Sequence, residues 1–167
     1  MAAPRIATVG VYGFTAETFV ATLREAGARL VLDVRQRRDV RGPEYAWANS
    51  KRLQAALAGA GIAYEHHREL APTTELRRLQ YREDARLGVG KRSRVELAPE
   101  YARRYLEQIL DPVDLDAFAE SLPSAGKTAL LCVERDPEAC HRSLVADRLA
   151  EEHGVPVTHL RPPAQAT

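Results

Sequence analysis

The chain has 167 residues, 45% of them apolar, which is enough for one hydrophobic core and too few for two comfortable domains. No apolar run approaches the roughly 18 residues needed to cross a bilayer, and the opening residues lead into a β-like run rather than a secretory signal, so a cytoplasmic protein with no membrane partner is expected. The formal net charge of +1 argues against a uniformly basic nucleic-acid binder, but it hides a split: residues 29–104 carry 17 Lys/Arg against 10 Asp/Glu, and residues 105–153 carry 4 against 11.

In chain order, residues 6–11 form a short apolar run of the kind that becomes a strand buried on both faces. Thr15 then caps a helix with Phe19, Val20, Leu23 and Ala26 on one face, stopped by Gly27. A second strand covers 30–34. Ser50 caps the next helix, which turns Leu53, Ala56, Leu57 and Ala60 inward and ends at Gly61. A third strand covers 62–65, and the long connection 71–99 holds one helix, 74–87, and a loop. Tyr101, Tyr105 and Ile109 repeat at four-residue spacing on a helix over 100–110, and Asp111-Pro112 starts a further short helix through Leu115, Phe118 and Leu122. A fourth strand at 129–134, a helix at 141–153 ended by Gly154, and a fifth strand at 155–160 complete the pattern. Alternation of strand and helix predicts a single three-layer α/β domain of the Rossmann-like class, spanning 1–160. Its sheet has about five mostly parallel strands with helices on both faces, and 161–167 is a flexible tail.

In such sheets ligands gather beyond the carboxyl ends of the strands, so chemistry is sought there. The strongest candidate is the stretch from Cys132 through Glu134 to Cys140-His141-Arg142: a buried strand delivers Glu134, a turn around Asp136-Pro137 follows, and Cys140 opens a helix. A thiol at a helix N-terminus beside His141 and Arg142 has surroundings that favour thiolate, so Cys140 is a candidate nucleophile. The same N–H groups and Arg142 form an anion site. The bland alternative is a small buried cap with His141 and Arg142 solvated. Asp33 and Arg35 leave the second strand in the equivalent place, so Asp33 or Glu134 is a candidate general base, with Arg35 and Arg142 holding anionic charge.

Gly88-Val89-Gly90-Lys91-Arg92-Ser93-Arg94 is the densest basic stretch and lacks the phosphate-loop spacing, so Lys91 and Arg92 are read as part of a flap over a phosphate or nucleic-acid backbone. Tyr45 and Trp47 are candidates to stack a base or to pack at the domain edge. Cys132 and Cys140 do not read as a disulfide framework, and with His141 they lack a fourth metal ligand at recognisable spacing. No metal and no cofactor are expected.

Thr8-Val9-Gly10, Leu32-Asp33-Val34-Arg35, Gly61-Ile62-Ala63-Tyr64, Cys132-Val133-Glu134 and Cys140-His141-Arg142 together resemble the DUF488 family of bacterial and archaeal proteins. The resemblance covers nearly the whole chain and implies a three-layer α/β domain with a site made by Asp33, Arg35, Glu134, Cys140, His141 and Arg142. Where that family often carries Leu-Gly-Gly after the third strand, this chain has Glu69-Leu70-Ala71-Pro72-Thr73. Cys140-His141-Arg142 also looks like the nucleophile tripeptide of alkylguanine transferases, with Ala139 where a proline is expected there. The leading expectation is an enzyme-like domain that binds a phosphate-containing partner, nucleotide or nucleic acid, at the carboxyl edge of the sheet. The alternatives are a non-catalytic nucleic-acid-binding or regulatory module, and a reactive-thiol protein that is redox-active or accepts alkyl groups.

Overall fold

The central strands are apolar on both faces because helices cover both sides of the sheet. In the computed structural model, which describes residues 4–163, the strands are β1 (Arg5–Val9), β2 (Ala28–Asp33), β3 (Ala63–His66), β4 (Lys127–Leu131) and β5 (Val157–His159). They form one sheet in the order β3-β2-β4-β1-β5, with every neighbouring pair parallel. Ile6, Ala7 and Val9 of β1 and Ala129, Leu130 and Leu131 of β4 are fully buried, whereas the edge strands β3 and β5 are only partly covered.

Helices α1 (Ala16–Glu25) and α2 (Ser50–Gly59) cross between β1, β2 and β3 and pack on each other. Helices α3 (Thr74–Leu87), α4 (Pro99–Tyr105), α5 (Leu115–Ser121) and α6 (His141–His153) carry the later crossovers and form the opposite layer. The single α/β domain read from the alternating pattern is therefore the one observed, with an all-parallel sheet. No helix among the described residues is long and apolar enough to cross a membrane.

Helix boundaries depart from expectation at three places. Asn49, not Ser50, occupies the cap position of α2, and its side-chain oxygen instead accepts from the Val40 N–H at 2.7 Å, which ties down the preceding loop. The helix expected from Asp111-Pro112 starts at Leu115, where Asp114 Oδ1 caps the Ala117 N–H at 3.0 Å. The helix expected over 100–110 is α-helical only to Tyr105 and continues as a π turn, Leu106–Leu110. Of the expected tail, 164–167 lie outside the described residues, while Arg161 reaches back to Asp136 at 3.2 Å.

The chain order reverses at the middle of the sheet. From β1 the chain runs to one side through β2 and β3, and from β4 it runs to the other side to β5, so loops leaving the adjacent strands β1 and β4 diverge to opposite faces. Their backbones stay joined beyond the strand ends: Cys132 N donates to Val9 O at 3.1 Å, and Val11 N and Tyr12 N both donate to Val133 O. This extended pairing keeps side chains alternating, which puts Cys132 and Glu134 on one side.

Gly10 sits at this junction. A Cβ there would fall on the backbone carbonyl of Glu134, and that same carbonyl accepts from Arg142 Nη1 at 2.7 Å. Gly10→Ala is expected to cost about 3 kcal/mol, the upper end for overpacking, because a backbone group rather than a flexible side chain must move. A urea unfolding midpoint unchanged from wild type would contradict this close approach.

Candidate functional site

A cavity of about 780 Å³ opens at the carboxyl edge beyond the adjacent strands β2 and β4, with Tyr12 from the loop after β1 at its side. Its buried end is made by Cys132, Glu134, Cys140 and His141, and its more exposed end by Arg37, Arg41, Arg77, Lys91 and Arg92. Between Glu134 and α6 the chain makes a 3-10 turn, Pro137–Ala139, and Cys140 takes the cap position of α6 in extended backbone. Its carbonyl accepts from the Ser143 hydroxyl at 2.8 Å, so the start of the helix is tied without using the thiol.

The polar atoms at the buried end converge on the His141 ring. His141 Nδ1 lies 3.7 Å from Cys132 Sγ and 3.8 Å from Cys140 Sγ. His141 Nε2 donates to the Val34 carbonyl at 2.8 Å, and because that carbonyl can only accept, Nε2 carries a proton. Tyr105 packs its ring against His141 at 5.4 Å between centroids, while its hydroxyl donates to Leu70 O at 2.5 Å. Cys132 Sγ lies 3.6 Å from Glu134 Oε2.

Burial opposes charge on every one of these groups. It pushes the Cys132 thiol well up, with the neighbouring Cys140 adding to the effect. Burial also opposes ionisation of Cys140, yet its thiol falls well below the usual value because Cys132 donates to it and His141 and Arg142 face it. Burial and the charge on Cys140 raise the Glu134 carboxyl, against Lys91 and Arg94. For His141, burial is outweighed by Cys140 and by the hydrogen bond to Val34, so its pKa rises. The pattern is an electrostatically coupled group with Cys140 as the favoured anion.

The remaining candidates divide sharply. Arg142 is fully buried, and its Nη1 and Nη2 donate to the carbonyls of Glu134 and Arg135 at 2.7 and 3.1 Å, so the guanidinium holds the strand-to-helix turn instead of reaching a ligand. Arg35 is engaged as well: Nε and Nη2 fork onto Asp33 at 2.9 Å each, and Nη1 donates to Ala48 O at 3.0 Å. Asp33 also accepts from the Tyr64 hydroxyl at 2.6 Å and does not line the cavity. The expected placement of Asp33 and Glu134 over one anion site is thus not realised, because Asp33 spends its lone pairs on Arg35 and Tyr64. The alternative of a solvated His141 and Arg142 is also overturned, since both are buried.

Lys91 lines the cavity, and although burial opposes its charge, Glu134 and Tyr81 raise its pKa. Arg92 is drawn to Glu44 at 2.7 Å and lies over the rings of Tyr12 and Tyr45 at 5.2 and 5.0 Å, so it pins the basic loop to the 41–45 segment. Tyr45 and Trp47 are absent from the cavity lining; Trp47 packs on Phe19 at 5.0 Å.

The family described as "Domain of unknown function DUF488" matches residues 15–149, most of the chain. The chain belongs to the DUF488 family. No curated protein and no solved structure matches it.

The DUF488 domain has cavity residues that sequence reasoning left unassigned: Arg37, Arg41 and Arg77 at the exposed end, and Arg94 at the buried end. Arg94 is 7% exposed, forks onto Asp84 at 2.7 to 3.1 Å, and donates to Glu134 Oε1 and Ala139 O at 3.1 Å each. It lies in the basic run that was read as a flap over a phosphate or nucleic-acid backbone, yet it is buried in protein contacts. The signal available in the sequence was local: Asp84 and Gln80 sit four apart on α3, inward polar positions on a helix that need a partner. Gln80 donates to Asp84 and accepts from Ala98 N, so α3, the loop and α4 are joined through one buried polar network in this DUF488 chain.

Proposed function

We propose that this chain binds a small phosphate-containing ligand, of nucleotide size, in the cavity at the carboxyl edge of the sheet. The observation that supports it is a set of unneutralised cations: Arg37, Arg41, Arg77 and Lys91 line the cavity and make no ion pair with a carboxylate among the described residues, Arg77 donating only to the neutral Gln36 Oε1 and Tyr81 hydroxyl. Cations left unneutralised around a concave site favour an anion, and guanidinium forks suit phosphate oxygens. Asp39 is the opposing charge at the exposed end of the lining. A volume of about 780 Å³ fits a small molecule better than a polymer groove. Tyr12, Tyr81 and Tyr101 add aromatic lining. A ligand held by the cations is presented to the carboxylate, imidazole and thiols of Glu134, His141, Cys132 and Cys140.

Calorimetric titration with inorganic phosphate and with a nucleoside triphosphate tests the reading. Arg77→Ala and Lys91→Ala are each expected to weaken binding roughly 10-fold or more, the range for hydrogen bonds to charged groups, and added salt is expected to weaken it further. The absence of binding at millimolar ligand, or an affinity unmoved in the double variant, would sink it.

A further inference from the structure

We propose that Cys132 Sγ, Cys140 Sγ and His141 Nδ1 form a site for a borderline-soft divalent cation, zinc above all, with a fourth position on the cavity side next to Glu134. These three donor atoms all lie within 4.8 Å of one another. Zinc bound at about 2.3 Å to sulfur and about 2.0–2.1 Å to nitrogen in a tetrahedron holds sulfur and nitrogen donors about 3.5–3.6 Å apart. The two Sγ to Nδ1 separations here are 3.7 and 3.8 Å, so shifts of a few tenths of an ångström would close the site.

The ring is already oriented as a ligand. Its Nε2–H donates to Val34 O, which leaves the lone pair of the neutral imidazole on Nδ1, aimed at the two sulfurs. A metal-bound histidine uses a backbone carbonyl in the same way to fix its tautomer and direction. Tyr105 holds the ring from the side. The two cysteines are free and come from rigid elements, one from the extended end of β4 and one from the cap of α6.

Charge supports the same assignment. Two thiolates cancel a dication, so a buried site closes neutral, whereas the same thiolates without a metal would leave net negative charge in the core. Glu134 directs Oε1 to Arg94 and leaves Oε2 at 3.6 Å from Cys132 Sγ, within reach of a fourth ligand position or of a water held there. All four residues line the cavity, which matches the three-ligand, one-open arrangement of a zinc site that takes an exchangeable ligand. The three residues lie within ten positions of one another, but the sequence shows no fourth ligand at recognisable spacing, and only the fold brings the three donor atoms together beside Glu134. The inference does not depend on phosphate binding at the outer cations.

The test uses the full chain, purified without chelator and analysed for metals by mass spectrometry, then stripped and titrated with Zn2+ and with Co2+. About one zinc per chain is expected, with a tetrahedral cobalt spectrum that includes thiolate-to-cobalt charge transfer. Cys132→Ser, Cys140→Ser and His141→Ala should each lower zinc affinity by more than the roughly 10- to 100-fold that follows loss of an outer-shell partner. The wild-type measurements stand even if a variant fails to fold. A folded wild-type chain that is metal-free as purified, gives no cobalt–thiolate band and is rapidly alkylated at Cys140 in the presence of Zn2+ would overturn the proposal and favour a reactive thiol. Phosphate binding that persists in the zinc-free protein would separate the two proposals.

Discussion

Arg35→Ala is expected to lower folding stability by about 3–5 kcal/mol, the range for removing one partner of a buried ion pair. Asp33 and Arg35 are 0% and 1% exposed, so solvent does little to compensate the carboxylate left behind. The substitution also frees the Ala48 carbonyl, and Asp33 would keep only the Tyr64 hydroxyl and the backbone N–H of residue 35, neither of which carries charge. Chemical denaturation measures the loss. The companion double variant Asp33→Leu/Arg35→Met removes both charges and should recover at least about half of it, since the penalty of the single variant is mainly an unpaired buried charge. Phosphate affinity in Arg35→Met, measured well below its unfolding transition, should stay within about twofold of wild type, because each guanidinium nitrogen already donates within the protein. A stable Arg35→Ala with strongly reduced affinity would instead return Arg35 to a ligand-binding role.

Arg94→Ala should be comparably damaging, again about 3–5 kcal/mol, but for a longer-range reason. One guanidinium spans Asp84 of α3, Glu134 beyond β4 and the Ala139 carbonyl before α6. Its loss leaves two carboxylates with side-chain exposures of 5% and 8% without their shared cation. Arg94→Lys keeps the charge but loses the planar fork, so it should rescue less than half of the stability. Hydrogen exchange should show faster opening of the segment between α3 and α4 in either variant, because Arg94 and the Gln80 contact to Ala98 are its internal ties. Equal protection in wild type and Arg94→Ala would contradict this arrangement.

Much of the fold was legible because local signals and global burial agree. Most positions of β1, β2 and β4 are apolar and buried on both faces, and α3 and α6 span the same residues that the helical spacing predicts, each closed by a glycine in the left-handed region. Boundaries were missed where a side chain found a competing partner. Asn49 bonds Val40 across the loop, and the chain after Tyr105 widens into a π turn, neither of which a periodic pattern reveals.

The candidate site was partly legible: Glu134, Cys140 and His141 were identified from their place after a strand or at a helix start and Lys91 from the basic stretch 88–94, and all four line the cavity. Arg35 and Arg142 were read as anion-binding because sequence position marks the carboxyl edge but not the direction of a long side chain; Arg35 does border the cavity, with its guanidinium committed elsewhere. The structure turns Arg35 onto Asp33 and Arg142 onto two carbonyls.

The sequence by itself determined the α/β class, the edge of the sheet where chemistry gathers, and the uneven charge that a net of +1 conceals. Those properties follow from local periodicity and from the right-handed crossover rule. Tertiary structure alone decided which cations remain free, drew the basic 88–94 segment toward Glu134 in the acidic half, and gathered Cys132, Cys140 and His141 around one point. These are pairings between residues far apart in the chain or on different elements. They are set by burial, which requires each charge to find a partner, and no local pattern encodes which partner that is.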